Sequence, residues 1–95
     1  MLYKVHFTVK KLLGKTTIFY KGESLLTFWF TAGKIAGDGT DLIILKHLFN
    51  CQTINDVEQF FLLKTKKSIY TIETKFNVYG IKHLEKLYAI KKTGL

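Results

Sequence analysis

The chain has 95 residues, of which 47% are hydrophobic and 23% charged, and its 15 basic and seven acidic residues give a net charge of +8. This length suits one small domain over residues 1–95, and the apolar fraction excludes a disordered chain. No apolar run approaches the roughly 20 residues of a membrane span, and the N-terminus lacks the layout of a signal peptide. The single cysteine excludes an internal disulfide, so we expect a cytoplasmic protein.

All 15 basic residues are lysines, and they concentrate at the two ends of the chain. Residues 1–21 hold five lysines and no acid, residues 22–61 have a net charge of −3, and residues 62–95 have a net charge of +6. An AT-rich coding sequence favours lysine, but it also favours glutamate, of which there are only four. If the ends meet in the fold, they form a basic face that attracts polyanions. The alternative is a solvated lysine surface that binds nothing in particular.

The first third of the chain predicts three antiparallel strands. Residues 2–10 alternate between apolar and polar side chains, which is the period of a half-buried strand. A turn at Gly14 leads into a second strand, residues 16–21, and a turn at Gly22 leads into a third, residues 24–32. The second strand is rich in β-branched and aromatic residues, and the third is largely apolar on both faces. Because the connections are short, we expect an antiparallel meander.

The middle of the chain predicts a loop followed by two helices. Three glycines make residues 33–40 a flexible loop. Residues 42–50 predict a helix whose first N–H groups bond to Thr40 or Asp41, although the consecutive apolar residues also fit a short buried strand. Thr53 is placed to cap a second helix.

The last third predicts a long strand and a final helix. Residues 69–79 alternate again, Gly80 ends the strand, and an apolar stripe at helical spacing follows. We therefore expect an α+β fold: a three-stranded antiparallel meander, helices, a fourth strand, and a C-terminal helix, with the helices on one sheet face. An apolar sheet edge also favours pairing with a second copy, as a homodimer.

Catalytic and metal-binding motifs are incomplete. Gly14-Lys15-Thr16 is similar to the end of a phosphate-binding loop, but the first glycine is replaced by Val9, and strands are predicted on both sides. His47 and Cys51 provide half of a zinc site or a nucleophile pair, without further ligands or an orienting residue nearby. We therefore expect no catalytic residue, no metal site and no cofactor, and we predict that the protein is not an enzyme.

One aromatic residue is placed to bind a partner. Strand alternation directs Trp29 to the face opposite Phe28 and Phe30. An exposed tryptophan on a basic sheet suits base stacking, and it also suits anchoring a protein partner. The alternative is a second small core in which the last helix covers Trp29.

The leading prediction is binding of nucleic acid through lysine–phosphate contacts, with weak sequence preference because the chain has no arginine for bidentate reading of guanine. The predicted binding residues are Lys4, Lys10, Lys11, Lys64, Lys66, Lys67 and Lys75, with Trp29 as a stacking residue. The alternative is a small protein–protein interaction module, such as a regulator or inhibitor of the kind that phages and mobile elements encode. Its basic face and Trp29 would then contact an acidic protein surface.

Overall fold

The computed structural model of the chain describes residues 1–62 and 67–93. These residues form an α+β fold with one five-stranded antiparallel sheet and three helices. In chain order the elements are β1 (Tyr3–Leu12), β2 (Lys15–Tyr20), β3 (Glu23–Thr31), β4 (Lys34–Ala36), α1 (Gly39–Leu48), α2 (Ile54–Leu62), β5 (Ile69–Phe76) and α3 (Val78–Thr93).

The strands lie in the order β4-β3-β2-β1-β5, which confirms the predicted meander of the first three. Two-residue turns join the first four strands at Leu13-Gly14, Lys21-Gly22 and Ala32-Gly33. Both residues of each turn have positive φ angles. This is the type I′ hairpin geometry, whose twist matches that of the flanking strands, and glycine occupies its second position at no steric cost.

A short strand, β4, replaces part of the predicted loop over residues 33–40, so the sheet has five strands where four were expected. The Ile35 side chain is buried in the core. Its N–H donates to the buried Glu58 carboxylate at 2.7 Å. The α2 carboxylate thus pairs a backbone N–H on the free edge of β4. Unpaired N–H groups on an edge strand promote pairing with other chains, and this one is covered.

The ambiguous segment 42–50 is helical, and α1 begins earlier, at Gly39. The expected cap at Thr40 or Asp41 is wrong, because Asp38 is the N-cap and accepts the Asp41 N–H at 2.9 Å. The helix therefore starts within the glycine-rich segment, where the extended backbone of the cap residue leads directly into the first turn.

The two other helix starts follow the same principle. Thr53 Oγ1 accepts the Asp56 N–H at 3.2 Å, as predicted for α2. The strand predicted to extend to residue 79 ends at Phe76, and Gly80 lies in the first turn of α3. The cause is Asn77, whose side-chain oxygen accepts the Gly80 N–H at 2.8 Å and caps the helix.

The helices cover one face of the sheet, which we call the inner face, and bury the core against it. The most buried side chains come from four strands and all three helices, and they include Phe7, Val9, Ile18, Leu26, Phe28, Ile72, Ile44, Leu45, Leu48, Val57, Phe61 and Leu84. None of the helices, over the residues described, has the length and apolarity needed to cross a membrane.

Polar contacts fix α3 to the β2–β3 hairpin. The Glu85 carboxylate accepts the Tyr20 hydroxyl at 2.7 Å and the Lys21 ammonium at 3.1 Å. These two donors lower the pKa of Glu85, and the Tyr20 hydroxyl has the larger effect. The Tyr88 hydroxyl donates to Glu23, and its ring packs edge-on against Tyr20. These contacts engage the carboxylates of Glu85 and Glu23 on the helical side of the sheet.

Candidate functional site

The opposite face of the sheet, which we call the outer face, carries none of the described helices. It presents alternate residues of every strand, because successive side chains of a strand point to opposite faces. Strand register assigns to it Lys4, His6, Thr8, Lys10 and Leu12 of β1, Lys15, Thr17 and Phe19 of β2, Ser24, Thr27, Trp29 and Thr31 of β3, Lys34 and Ala36 of β4, and Ile69, Thr71, Glu73 and Lys75 of β5.

Lysine dominates the charge of the outer face. Among the residues that the structure describes, it holds five lysines, on four of its five strands, and one carboxylate, Glu73. The other six acidic residues belong to the β2–β3 hairpin, the helices and a helix cap. Most carboxylates therefore lie away from the outer face, and the excess of lysine over carboxylate there gives a positive potential that attracts polyanions.

At one end of the outer face, two predicted binding residues meet. Lys4 lies directly opposite Lys75 in the β1–β5 pairing, and His6 lies opposite Glu73. The Lys4 ammonium is 3.6 Å from the Glu73 carboxylate, and both side chains are exposed. The Glu73 carboxylate thus offsets part of the positive charge at this end of the outer face. The described residues at the opposite end, near the β1–β2 and β3–β4 turns, place no carboxylate on the outer face, so the positive potential is stronger there.

That opposite end, which we call the hairpin end, contains the β1–β2 turn and the start of β5. A shallow depression of about 440 Å³ lies there, lined by Lys10, Lys11, Leu12, Lys15, Thr17, Phe19, Ser68 and Ile69. The Lys10 ammonium lies 4.9 Å from the centroid of the Phe19 ring. The Ser68 carbonyl accepts the Lys11 N–H at 2.7 Å and so fixes the segment before β5 as one wall. Lysines and an aromatic ring therefore share one concave surface.

Trp29 lies on the outer face beside this depression. Its side chain is 51% exposed, and it pairs across the strands with Lys15. The alternative in which α3 covers Trp29 is wrong, because α3 packs on the inner face, where Leu84 is fully buried. A Cβ atom at Gly14 would lie 3.9 Å from the Trp29 ring and 2.7 Å from Thr31, so glycine lets the turn approach this part of β3 closely.

The structure brings together only part of the predicted set of lysines. Lys4, Lys10 and Lys75 lie on the outer face, and Lys11, although its strand position is inward, lines the depression at the end of β1. Lys67 is exposed just before β5. Lys64 and Lys66 lie outside the described residues.

Three outer-face residues were missed by the sequence prediction: Lys15, Phe19 and Lys34. Lys15 and Phe19 both occupy outward-facing positions of β2. The alternation of side chains on the two strands that flank the Gly14 turn could have identified them. Lys34 had no such signal, because its strand was predicted as a loop.

The helical side brings two histidines together. The His47 and His83 ring centroids are 4.4 Å apart, and His47 Nε2 lies 3.3 Å from the Gly80 carbonyl. Burial lowers the pKa of His47, and charge repulsion from His83 lowers it further. The Cys51 thiol donates to the Phe49 carbonyl at 3.4 Å. Within the described ranges, no group of three or more potential metal ligands forms.

Comparison with protein-family models, curated proteins and solved structures gives no match for the chain.

Proposed function

We propose that the protein is a non-enzymatic nucleic-acid-binding protein that uses the outer face of its sheet. The observation that carries this proposal is the depletion of carboxylates on this face: among the described residues, five lysines and one carboxylate share a face that none of the described helices covers. Ammonium groups neutralise phosphates as point charges and release the counterions condensed on the nucleic acid. Binding by such a face depends steeply on salt concentration.

The proposed binding has weak sequence preference. Reading of base edges depends mainly on arginine, asparagine and glutamine, which make bidentate contacts with purines. The chain has no arginine, and the residues assigned to the outer face include no asparagine or glutamine. Lysines and threonines remain, and these bind mostly phosphate and sugar.

The test replaces three outer-face lysines, Lys4, Lys10 and Lys75, with glutamine. Fluorescence anisotropy with labelled DNA and RNA at several salt concentrations should show weaker binding and a salt slope reduced by about one unit per lost phosphate contact. The matched control replaces three lysines of the helical side, Lys46, Lys82 and Lys86, with glutamine and so has the same net charge. The proposal is wrong if the parent protein fails to bind at low salt, or if the two triple variants behave alike.

A second candidate function is binding of an acidic protein partner. The observation that favours it is the apolar surface of the β1–β2 turn, where Leu12 is 73% and Leu13 is 92% exposed. Aliphatic side chains contribute little to phosphate binding, but beside Trp29 they suit the apolar centre of a protein interface. Pull-downs with and without nuclease separate the two functions. A partner that survives nuclease and is lost from the Leu12→Ser/Leu13→Ser variant supports the protein interface.

A further inference from the structure

We infer that the depression at the hairpin end is a subsite for a base and its phosphate from single-stranded nucleic acid. This inference rests on the proposed function and adds the substrate class, because a lysine face alone does not distinguish a single strand from a duplex.

The depression combines the two chemistries of a nucleotide. Its apolar surface comes from Phe19, Leu12 and Ile69, and its cationic rim from Lys10, Lys11 and Lys15. Its volume of about 440 Å³ lies in the range of pockets that hold small organic ligands. An aromatic ring beside ammonium groups offers a stacking surface for the base and counter-charges for the adjoining phosphate.

In the free protein, Lys10 occupies the stacking position. Its ammonium lies 4.9 Å from the centroid of the Phe19 ring, in cation–π contact. Base stacking on an aromatic ring is the stronger of the two interactions at an exposed site. A base therefore displaces the Lys10 ammonium from the Phe19 ring. Because the lysine side chain is flexible, the ammonium remains at the rim of the depression, where it contacts the phosphate of the same nucleotide.

Trp29 provides a second stacking surface along the same path. Phe19 is four residues from Lys15 on β2, and Lys15 pairs with Trp29 on β3, which places the two rings roughly 14 Å apart by strand geometry. This separation is too large for one base, so the two rings hold different nucleotides of one strand. A duplex hides its base faces in its own stack and presents no such surface. The arrangement of the two rings thus selects single strands.

The experiment compares a labelled oligothymidine with a duplex of equal length, by anisotropy at low salt. Replacing Phe19 with leucine keeps an apolar side chain but removes the ring. We expect about tenfold weaker binding of the single strand, a typical stacking loss for one base, and unchanged binding of the duplex. Phe19→Trp, which restores an aromatic face, should retain the single-strand affinity. The matched control is Tyr79→Leu, which removes an exposed ring of α3 beyond the opposite end of the sheet.

Trp29 supplies an independent readout, because it is the only tryptophan of the chain. Oligothymidine should quench its fluorescence, and the duplex should quench it much less. Equal affinity for both nucleic acids, with no effect of Phe19→Leu, would leave the proposed function intact and overturn the single-strand subsite. Failure to bind either nucleic acid would overturn both. Urea unfolding of Phe19→Leu verifies that the variant is folded when it is titrated.

Discussion

Phe28 and Trp29 are adjacent in β3, yet they lie in opposite environments. Phe28 is 1% exposed and packs against the Phe61 ring at a centroid distance of 5.5 Å. Trp29 is half exposed on the outer face and lies opposite Lys15. The same contrast holds along the sheet: the inner face is apolar and buried, whereas the described part of the outer face carries mainly lysine and threonine, with the exposed Trp29 ring and the half-buried Phe19 ring. Strand alternation thus gives stability to one face and leaves the other available for binding at little cost to folding.

The largest effect should come from removing the Phe28 ring. Phe28→Ala deletes a large side chain from the core, which typically costs about 3–5 kcal/mol of unfolding free energy. Trp29→Ala should cost about 1 kcal/mol or less, because half of that side chain is already in water. Urea denaturation monitored by circular dichroism measures both. If Phe28→Ala fails to fold, Phe28→Leu provides a smaller core deletion. Equal losses at the two positions would contradict the division between faces.

A somewhat smaller effect should follow from removing the buried carboxylate of α2. Glu58→Ala leaves the Ile35 N–H without its 2.7 Å acceptor, and loss of a hydrogen bond to a charged group costs about 1.5–3 kcal/mol. Glu58→Gln retains an acceptor oxygen and should recover much of this loss. Chemical denaturation gives the free energies, and hydrogen exchange at Ile35 shows whether the edge strand opens. An unchanged exchange rate in Glu58→Ala would mean that the carboxylate does not hold β4.

The smallest effect should be a pH dependence on the helical side of the sheet. The pKa of His47 lies below its ordinary value of 6.5, mainly because burial disfavours the imidazolium and also because His83 repels it. The unfolded chain therefore binds this proton more readily than the folded one, so the stabilisation is complete above pH 6.5 and is lost as the pH falls through the folded pKa. His47→Gln should flatten the stability curve in acid.

An NMR titration of the His47 ring tests the cause. A midpoint at or above 6.5 would contradict the assignment. His83→Gln should raise the midpoint only in part, because burial is the larger cause and remains in that variant.

The strands were predictable where a single pattern determined them. The alternation of β1 and the glycine of each turn were sufficient for the three-stranded meander. β4 was missed because three residues between glycines carry almost no periodic signal. Its strand conformation depends on Phe30, which pairs with Ile35, and on Glu58, which lies in another element.

The end of β5 shows a different limit of the sequence pattern. Val78 continues the alternation, so the strand was extended to residue 79, but the Asn77 cap starts a helix there. A local side-chain hydrogen bond outweighs the period of the pattern at this position.

The charge of the proposed binding surface was easier to predict than its residue composition. The lysine-rich ends of the chain meet only in part: β1 pairs with β5, which places Lys75 beside Lys4, whereas Lys82 and Lys86 lie on α3. Lys15 and Phe19 lie on the outer face because of the register of the β1–β2 hairpin, which its two-residue turn determines. The contact between His47 and His83 joins two helices and has no signature in sequence spacing.

The position of β1 between β2 and β5 also constrains the order of folding. The partner on one side follows after a two-residue turn, whereas the partner on the other comes about 60 residues later in the chain, and closing a longer loop costs more entropy. During synthesis, one edge of β1 therefore stays unpaired until β5 has emerged from the ribosome. We expect pulse-labelled hydrogen exchange to protect the β2–β3 amides before those shared by β1 and β5, so that a strand synthesised late completes the sheet beside one synthesised early.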